Sequence, residues 1–414
     1  MRKIFSILVL LALCSLASAQ EDSVASILNS IAPNLCIRRI LDATDRNEYD
    51  YLKRSSIYDT SDRLSIRIYE HNFFKNNEYF GDFVKGYTLP GFHFQPEITY
   101  NFNSQLSFQL MWNVLRYHGS DKYAESKPYF RIVFRPRDYF TIIGGYLEGN
   151  AKHDLVEPIY NPERYYLGTY PDRYFTRNVE NGVQLMLSKP RYQGELWMNW
   201  ENFILWGDDD QERFTVGHVS KFHIVNKHFW RAEFVGEFLV AHRGGQIDSS
   251  DAQMQSLENG AFGLDFHRFG RNGSNGGAYR QLSLRAMLVQ YHSMSGTDDL
   301  PWDDGWGTYV KAHLRMWNFG LAAGHWYANK FLSFRGDPLY TCWALEDANN
   351  KEKRSLAFGE LYFSKNYFND VFTLRTGINA WYDIKASQLE YAYMLSMIVC
   401  PRITILPRKK SERF

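Results

Sequence analysis

Apolar and polar residues alternate along most of the chain, most clearly between positions 91 and 114. Apolar side chains occupy every second position from Phe92 to Phe102 and again from Leu106 to Val114, with mostly polar side chains between them. Successive side chains of a strand point to opposite faces, so each stretch predicts a strand with one apolar and one polar face. Because a three-residue turn separates Phe102 from Leu106, the two strands are expected to form a hairpin.

The same alternation predicts about 16 strands, an even number, after residue 62. The predicted strands are 63–73, 91–102, 105–118, 128–135, 139–149, 179–188, 194–206, 213–225, 228–242, 260–269, 279–294, 306–317, 319–334, 354–365, 371–385 and 388–400. Long and short connections alternate between them, as extracellular loops and periplasmic turns do in outer-membrane barrels. The predicted fold class is all-β, a closed antiparallel transmembrane β-barrel with both termini in the periplasm. Pro96 has no N–H for the ladder, so we expect a bulge there.

Composition supports a barrel and excludes a helical membrane protein. The mean hydropathy is −0.42, and no run of 18 apolar residues follows the first 20 positions, so no spanning helix is expected. Barrel strands are only half apolar, and a hydropathy average does not detect them. Aromatic residues make up 17% of the chain, which suits lipid-facing strands with interfacial girdles. Such a barrel implies the outer membrane of a Gram-negative bacterium.

The N-terminus has the three parts of a secretory signal. Arg2 and Lys3 precede an apolar run that ends at Leu13, and Ala-Ser-Ala stands before Gln20, so cleavage is expected near residue 19. The predicted organisation is a signal peptide over 1–20, an N-terminal periplasmic or plug segment over 21–62, the barrel over 63–405 and a C-terminal tail over 406–414.

Charge and cysteine content limit the partners. Removing the signal peptide leaves 45 basic residues against 46 acidic ones, a balance that gives no reason to expect nucleic acid. Expected partners are outer-membrane lipid and lipopolysaccharide, small polar solutes or glycans, and further copies of the chain. Of the three remaining cysteines, Cys36 and Cys400 both fall on the predicted periplasmic side, where they could form a disulfide or stay as separate thiols. Cysteine spacing gives no metal signature, and no cofactor or metal is predicted.

Charged residues recur on the face that points away from lipid. The inward-facing candidates are Arg67, Glu97, Arg131, Arg135, Glu201, Arg231, Glu233, Glu237, Asp265, Arg285, Lys311, His313, Arg315, Glu360, Arg375 and Asp383. Facing lipid at the midplane would cost roughly 2–4 kcal/mol for each Arg or Lys, so the strand register is well specified. Acids and bases nearly match, which predicts either a weakly selective aqueous pore or ion-pair networks that close the interior.

The longest connection, 150–178, is the third extracellular loop. In general porins of about 16 strands this loop folds inward and forms the constriction, so the chain resembles porins in strand number, loop order and terminus placement. The resemblance covers most of residues 63–405 and is architectural. It implies that charged loop residues form a constriction, namely Asp154, Glu157, Glu163, Arg164, Asp172 and Arg173. The alternative is a solvated loop whose tyrosines pack on the barrel rim.

Catalytic motifs are not evident in the sequence. The chain has no G-x-S-x-G, no H-E-x-x-H and no phosphate loop, so no enzyme is predicted. His118, Ser120 and Asp121 cluster at one predicted strand end, although residues of these types often meet in loops by chance. Two acidic clusters on outer loops, 208–210 and 298–304, offer oxygen ligands for Ca²⁺ but lack EF-hand spacing.

The predicted function is therefore a pore for small polar solutes, with a mixed-charge lumen and a constriction from the 150–178 loop. A non-conducting barrel for surface-polysaccharide assembly or binding is the alternative, suggested by loop aromatics such as Trp302 and Trp306. An outer-membrane hydrolase is the third hypothesis.

Overall fold

The computed structural model describes residues 60–148, 151–161, 179–227, 229–245, 249, 251–269, 281–295, 300–368 and 371–407. The predicted signal peptide and nearly all of the 21–62 segment lie outside these residues, so both stay predictions. Within the described part of the chain, no helix is long and apolar enough to cross a membrane.

The described residues contain 17 strands. They are β1 (Asp62–Glu78), β2 (Tyr87–Asn101), β3 (Leu106–Tyr117), β4 (Glu125–Arg137), β5 (Phe140–Tyr146), β6 (Asn181–Lys189), β7 (Tyr192–Asn202), β8 (Arg213–Lys227), β9 (Trp230–Arg243), β10 (Gln255–Phe269), β11 (Gln281–Ser293), β12 (Asp304–Met316), β13 (Phe319–Asn329), β14 (Lys353–Tyr367), β15 (Phe372–Asp383), β16 (Gln388–Val399) and β17 (Arg402–Pro407). All 16 predicted strands correspond to β1–β16.

The sheet closes on itself. Each strand from β1 to β16 pairs antiparallel with its neighbours in sequence, and β1 also pairs with β16 and β17. β16 pairs with Glu70–Glu78 and β17 with Asp62–Arg67, so the two successive strands occupy one position in the wall. The break between them contains Pro401, whose nitrogen cannot donate to a ladder. The predicted closed barrel of 16 strands is therefore confirmed, and closure leaves no unpaired edge.

The two faces of the wall differ as the alternation predicts. On β4, Phe130, Ile132 and Phe134 are 61, 52 and 42% exposed, whereas Arg131 and Val133 are 2 and 0% exposed. The outward face is therefore a band of large apolar side chains, and the inward face is buried and largely polar. This distribution is stable only with lipid around the barrel.

Pro96 corrects one local prediction, because β2 has no bulge there. Its pairing with β1 runs without interruption through the Ile68–Pro96 pair. On the other side, the Phe94–Val114 and Glu97–Met111 pairs keep the same register with β3. Gln95 and Pro96 do not pair with β3, so the missing N–H of Pro96 does not interrupt the register and no extra residue enters the strand.

Candidate functional site

A first inward segment, residues 151–161, follows β5 and lies against the inner wall. The Asp154 carboxylate is 3.6 Å from Lys221 Nζ on β8, and Glu157 Oε1 is 3.0 Å from Lys311 Nζ on β12. The segment therefore spans the inner face from β8 to β12. Both residues were predicted as constriction residues, and both lie inside the barrel.

His153 fixes the start of this segment. Its Nε2 is 2.7 Å from Glu180 Oε2 and its Nδ1 contacts Glu195, while the ring stacks on Trp197 at 3.8 Å. Tyr160 donates to the other oxygen of Glu180. His153 is fully buried and has a φ of 45°, in the left-handed region that non-glycine residues rarely adopt. These contacts maintain the strained backbone, and the sequence analysis did not identify them.

A second inward segment, residues 331–345, follows β13. Arg335 Nη2 is 2.6 Å from Glu201 Oε2 on the far side of the barrel. The backbone carbonyl of Tyr340 accepts from Trp326 Nε1 at 3.0 Å. This segment thereby connects β7 with β13 across the interior. The sequence analysis predicted no inward fold for it.

The two segments also pack on each other, and together they are called the plug. Ser333 Oγ donates to the carbonyl of Pro158 at 2.7 Å, and Asn161 Nδ2 donates to Asp337 at 3.2 Å. Around these bonds lies an apolar cluster that the plug shares with the wall. Its fully buried members include Ile159, Phe331, Leu332, Leu339, Tyr340, Cys342, Trp197, Trp326, Leu239 and Tyr309. A packed core of this kind excludes water from its part of the lumen.

The predicted inward charges lie on the inner face and mostly pair with each other. The ion pairs within the predicted set are Arg131–Glu97, Arg285–Asp265, Arg285–Glu237, Arg231–Glu233, Lys311–Glu360 and Arg375–Glu360. Two predicted acids pair with arginines that the prediction omitted, Glu201 with Arg335 and Asp383 with Arg354. Their role as pore-lining residues stays a prediction.

The remaining predicted inward residues have other neighbours. Arg135 Nη2 donates to Ser107 Oγ at 2.6 Å, and His313 lies 3.1 Å from the hydroxyl of Tyr362. Arg67 lies opposite Glu97 and Arg402, and Arg315 opposite Gln281 and Gly320.

Several predicted site residues lie outside the described residues. They are the constriction candidates Glu163, Arg164, Asp172 and Arg173, and Cys36 of the predicted disulfide. Cys400 is described and half-buried, so its pairing with Cys36 stays a prediction.

The rim cluster that the sequence suggested as a hydrolase site does not form. Ser120 Oγ donates to the carbonyl of Lys122 at 3.0 Å, and the His118 ring lies against Phe92. These contacts direct the hydroxyl and the imidazole to different neighbours.

A different serine and histidine meet on the outward face of the wall. The described outward-facing His–Ser contacts are His218–Ser220 at 2.6 Å, His242–Ser256 at 2.8 Å and His325–Ser355 at 3.0 Å. The second differs from the others because His242 Nε2 also lies 2.6 Å from the carbonyl oxygen of Gly244. A carbonyl only accepts, so Nε2 carries a proton, and in the neutral imidazole Nδ1 is then the acceptor for the Ser256 hydroxyl.

Strand pairing places this pair, called the outward dyad, at the end of β9 and β10 next to their long connection, the end that is predicted to be extracellular. Ser256 lies directly opposite His242 in the ladder, and the imidazole stacks on Phe214 at 4.7 Å. Both residues share the outward face with Phe234 and Phe262, which are 42 and 50% exposed. The serine is thus next to a base whose orientation is fixed by a third group, the arrangement that activates a nucleophile.

A pocket of about 470 Å³ opens beside the dyad. Glu258 lies opposite His292, and His292 lies opposite Asp304 at 2.7 Å, so three strands contribute to one row. Glu258 is two residues from Ser256 on the same face, about 7 Å along the strand. The pocket lining is Glu258, Gln290, Tyr291, His292, Asp304, Gly305, Trp306, Asn329 and Lys330.

Comparison with known protein families gives a match over most of the chain. A family model described as "Lipid A 3'-O-deacylase-type" matches residues 54–407, which include every strand of the barrel. The chain belongs to this lipid A 3'-O-deacylase-type family. No curated protein sequence matches it.

Solved structures with a similar fold are outer-membrane proteins of low sequence identity. An improved structure of OprD from Pseudomonas aeruginosa has 9% identity and a TM-score of 0.48, covering 87% of this chain and 100% of that one. OccAB3 from Acinetobacter baumannii has 10% identity and a TM-score of 0.42, covering 82% and 99%. OccK2 from Pseudomonas aeruginosa, solved with glucuronate, has 8% identity and a TM-score of 0.47, covering 83% and 98%.

Proposed function

We propose that this family member hydrolyses an acyl ester of an outer-leaflet lipid A-type glycolipid, with the outward dyad as the catalytic centre. The observation that supports the proposal most directly is the geometry of Ser256, His242 and Gly244. A hydroxyl donates to one imidazole nitrogen at 2.8 Å while a carbonyl holds the other at 2.6 Å. The family description, which names deacylation of lipid A, supports the same chemistry.

The residues of the dyad account for both halves of an ester hydrolysis. Ser256 Oγ attacks the ester carbonyl while His242 Nδ1 takes its proton, and the sugar oxygen leaves with that proton. The acyl group is then bound to Ser256 as an ester. Water, deprotonated by His242, releases it as a fatty acid and regenerates the serine hydroxyl. The balance is one ester and one water giving one acid and one alcohol.

The location of the dyad suits a lipid substrate. Ser256 and His242 face outward near the strand ends that are predicted to be extracellular, where the acyl chains of outer-leaflet lipid would join their sugar. Trp306 and Lys330 of the neighbouring pocket add an aromatic ring and a cation. Lys330 is suited to a phosphate group, and Glu258 and Asp304 of the same pocket can accept from sugar hydroxyls.

Lipid A mass spectrometry tests the proposal. Expression in a Gram-negative host should yield lipid A that lacks one ester-linked acyl chain, and Ser256→Ala should restore the full mass. Ser220→Ala is the matched control, because Ser220 also contacts an outward histidine at 2.6 Å. Unchanged lipid A in cells containing the folded wild-type barrel would refute the activity. Deacylation that survives Ser256→Ala would refute this site.

The pore of the sequence analysis is the second candidate. The polar side chains of the inner face support it, but Gln95, Thr99 and Gln109 are 2, 4 and 0% exposed, so an open path has to run past other parts of the wall. Reconstitution of the folded barrel into planar bilayers tests it, and solute-dependent conductance would support it.

Two predictions about location accompany both functions. We expect a mature chain that begins near residue 20 and lies in the outer membrane of a Gram-negative cell. N-terminal sequencing of the protein isolated from membranes tests whether the mature chain begins near residue 20.

A further inference from the structure

A group of buried metal-ligating side chains lies on the inner wall, away from the outward dyad. Glu233 on β9 lies directly opposite His223 on β8 and directly opposite Asp265 on β10. His267 follows on the same face of β10, two residues beyond Asp265. Their exposed fractions are 0% for Glu233, 1% for Asp265, 2% for His267 and 8% for His223. Burial of so many titratable groups calls for an explanation beyond packing.

The ligand atoms of three of these residues converge, and the fourth, His223, contacts one of the three. Those of Glu233, Asp265 and His267 all lie within 4.8 Å of one another, and His223 Nδ1 is 2.7 Å from Glu233 Oε1. Ligand atoms around tetrahedral zinc lie about 3.4 Å apart, given metal–ligand distances of about 2.0–2.2 Å. A metal at this point would draw the three ligand atoms together and would require the His223 ring to turn toward them.

The wall is irregular at this point. The register between β8 and β9 shifts after His223, so that Val225 rather than Ile224 pairs with Ala232. Such bulges re-aim side chains and often occur next to functional sites. The pair formed by His223 and Glu233 is the last one before this shift in register.

Two arginines contact the carboxylates of the group. Asp265 accepts from Arg285 Nε at 2.7 Å and from Nη2 at 2.5 Å, and Arg231 Nε is 3.6 Å from Glu233 Oε1. Hydrogen-bonded carboxylates of this kind are typical of metal ligands, whose orientation they fix. Glu237 lies 3.9 Å from Arg285, and Lys221 acts on Glu233 and Glu237 and pairs with Asp154. Four carboxylates therefore face three basic side chains, which leaves one net negative charge for a cation.

From this arrangement we infer that His223, Glu233, Asp265 and His267 form a zinc site that joins β8, β9 and β10. Two imidazole nitrogens with two carboxylates match the donor preference of Zn²⁺, whereas Ca²⁺ and Mg²⁺ prefer oxygen alone. The site is independent of the proposed ester hydrolysis, since the group faces the lumen and the dyad faces lipid.

Metal binding to the purified wild-type barrel is the first test. The folded barrel, freed of its purification tag and stripped with a chelator, should bind one equivalent of Zn²⁺. X-ray absorption of that complex should show imidazole nitrogen at about 2.0–2.1 Å. Absence of binding, or a six-coordinate shell of oxygen alone, would overturn the inference without any variant.

Variants locate the metal. His223→Gln and His267→Gln should each weaken Zn²⁺ binding at least about tenfold and abolish the visible spectrum of tetrahedral Co²⁺. His313→Gln is the control, an inner-face histidine on β12 outside the group. Folding of each variant is checked by its heat-dependent shift in electrophoretic mobility. Equal affinity in the control and in both folded variants would contradict the assignment.

Discussion

Glycines opposite aromatic rings set the packing of the inner wall at the scale of single residues. Gly217 lies opposite Trp197, and a Cβ at Gly217 would overlap its ring. Gly320 with Tyr362 repeats the arrangement on β13 and β14. Because glycine has no side chain, a large ring can lie flat against the neighbouring strand, and this contact fixes the strand register.

Gly217→Ala should therefore destabilise the barrel. The added methyl displaces Trp197 and disturbs its stacking on His153, and overpacking of this kind costs about 1–3 kcal/mol. The measurement is the temperature at which the folded form is lost on semi-native gels. Gly236→Ala on β9 is the matched control, because nothing lies within 4 Å of a Cβ there. An equal effect of both substitutions would show that the ring does not depend on the glycine.

Cys342 offers a second prediction at this scale. Burial raises the pKa of its thiol to about 11, so at pH 8 roughly one thiol in a thousand is ionised. We expect almost no labelling of Cys342 by iodoacetamide in the folded protein, an increase with rising pH, and complete labelling after boiling. Peptide mass spectrometry distinguishes it from Cys36 and Cys400. Rapid labelling of the folded protein at pH 8 would mean that the plug opens readily.

At the scale of elements, the two inward segments determine what the lumen can do. The first is held by charged contacts to β8 and β12, and by His153 between two carboxylates. The second is held by Arg335 and by the aromatic contacts of Tyr340. Asp154, Glu157 and Arg335 each reach a strand that is distant in sequence, whereas Tyr340 packs on Trp326 of the strand that precedes its own segment.

His153→Ala should release the first segment. The substitution leaves Glu180 and Glu195 buried without their shared partner, and removal of one member of a buried ion pair typically costs about 3–5 kcal/mol. Limited proteolysis should then cut between residues 153 and 161 in the folded barrel. His118→Ala at the exposed rim is the control. A variant as resistant as the wild type would show that the other contacts suffice.

The sequence predicted elements far better than contacts between them. Alternation identified every wall strand of the closed barrel, because lipid on one side and polar groups on the other force a period of two. It also predicted that Arg131 and Glu233 face inward, because successive positions of a strand lie on opposite faces of the wall. It did not predict the inward fold of 331–345 or the pairing of His242 with Ser256, which depend on strand register and on closure of the whole ring.

At the scale of the molecule, the barrel is a closed wall around a packed interior. The plug and the wall share one apolar cluster that reaches from β7 to β16. The constriction that porin resemblance implied is thus accompanied by a second segment from the opposite side. A 16-stranded ring without such filling would leave an aqueous channel.

Deletion of the second segment should therefore increase conductance. Replacing residues 331–345 with a short Gly-Ser linker removes Phe331, Leu332 and Tyr340 from the lumen. We expect larger single-channel currents in planar bilayers than for the wild type. Shortening the exposed loop at 119–123 is the control, because it leaves the interior intact. Equal currents for the wild type and the deletion would show that the plug does not limit flow.

The outward orientation of Ser256 and His242 has a kinetic consequence if they perform catalysis. A substrate anchored in the leaflet would reach them by sliding sideways, without ever leaving the bilayer. Turnover would then follow the mole fraction of substrate among its neighbouring lipids and not its bulk molarity. Inert detergent added to mixed micelles should slow the reaction by surface dilution, even at constant total substrate.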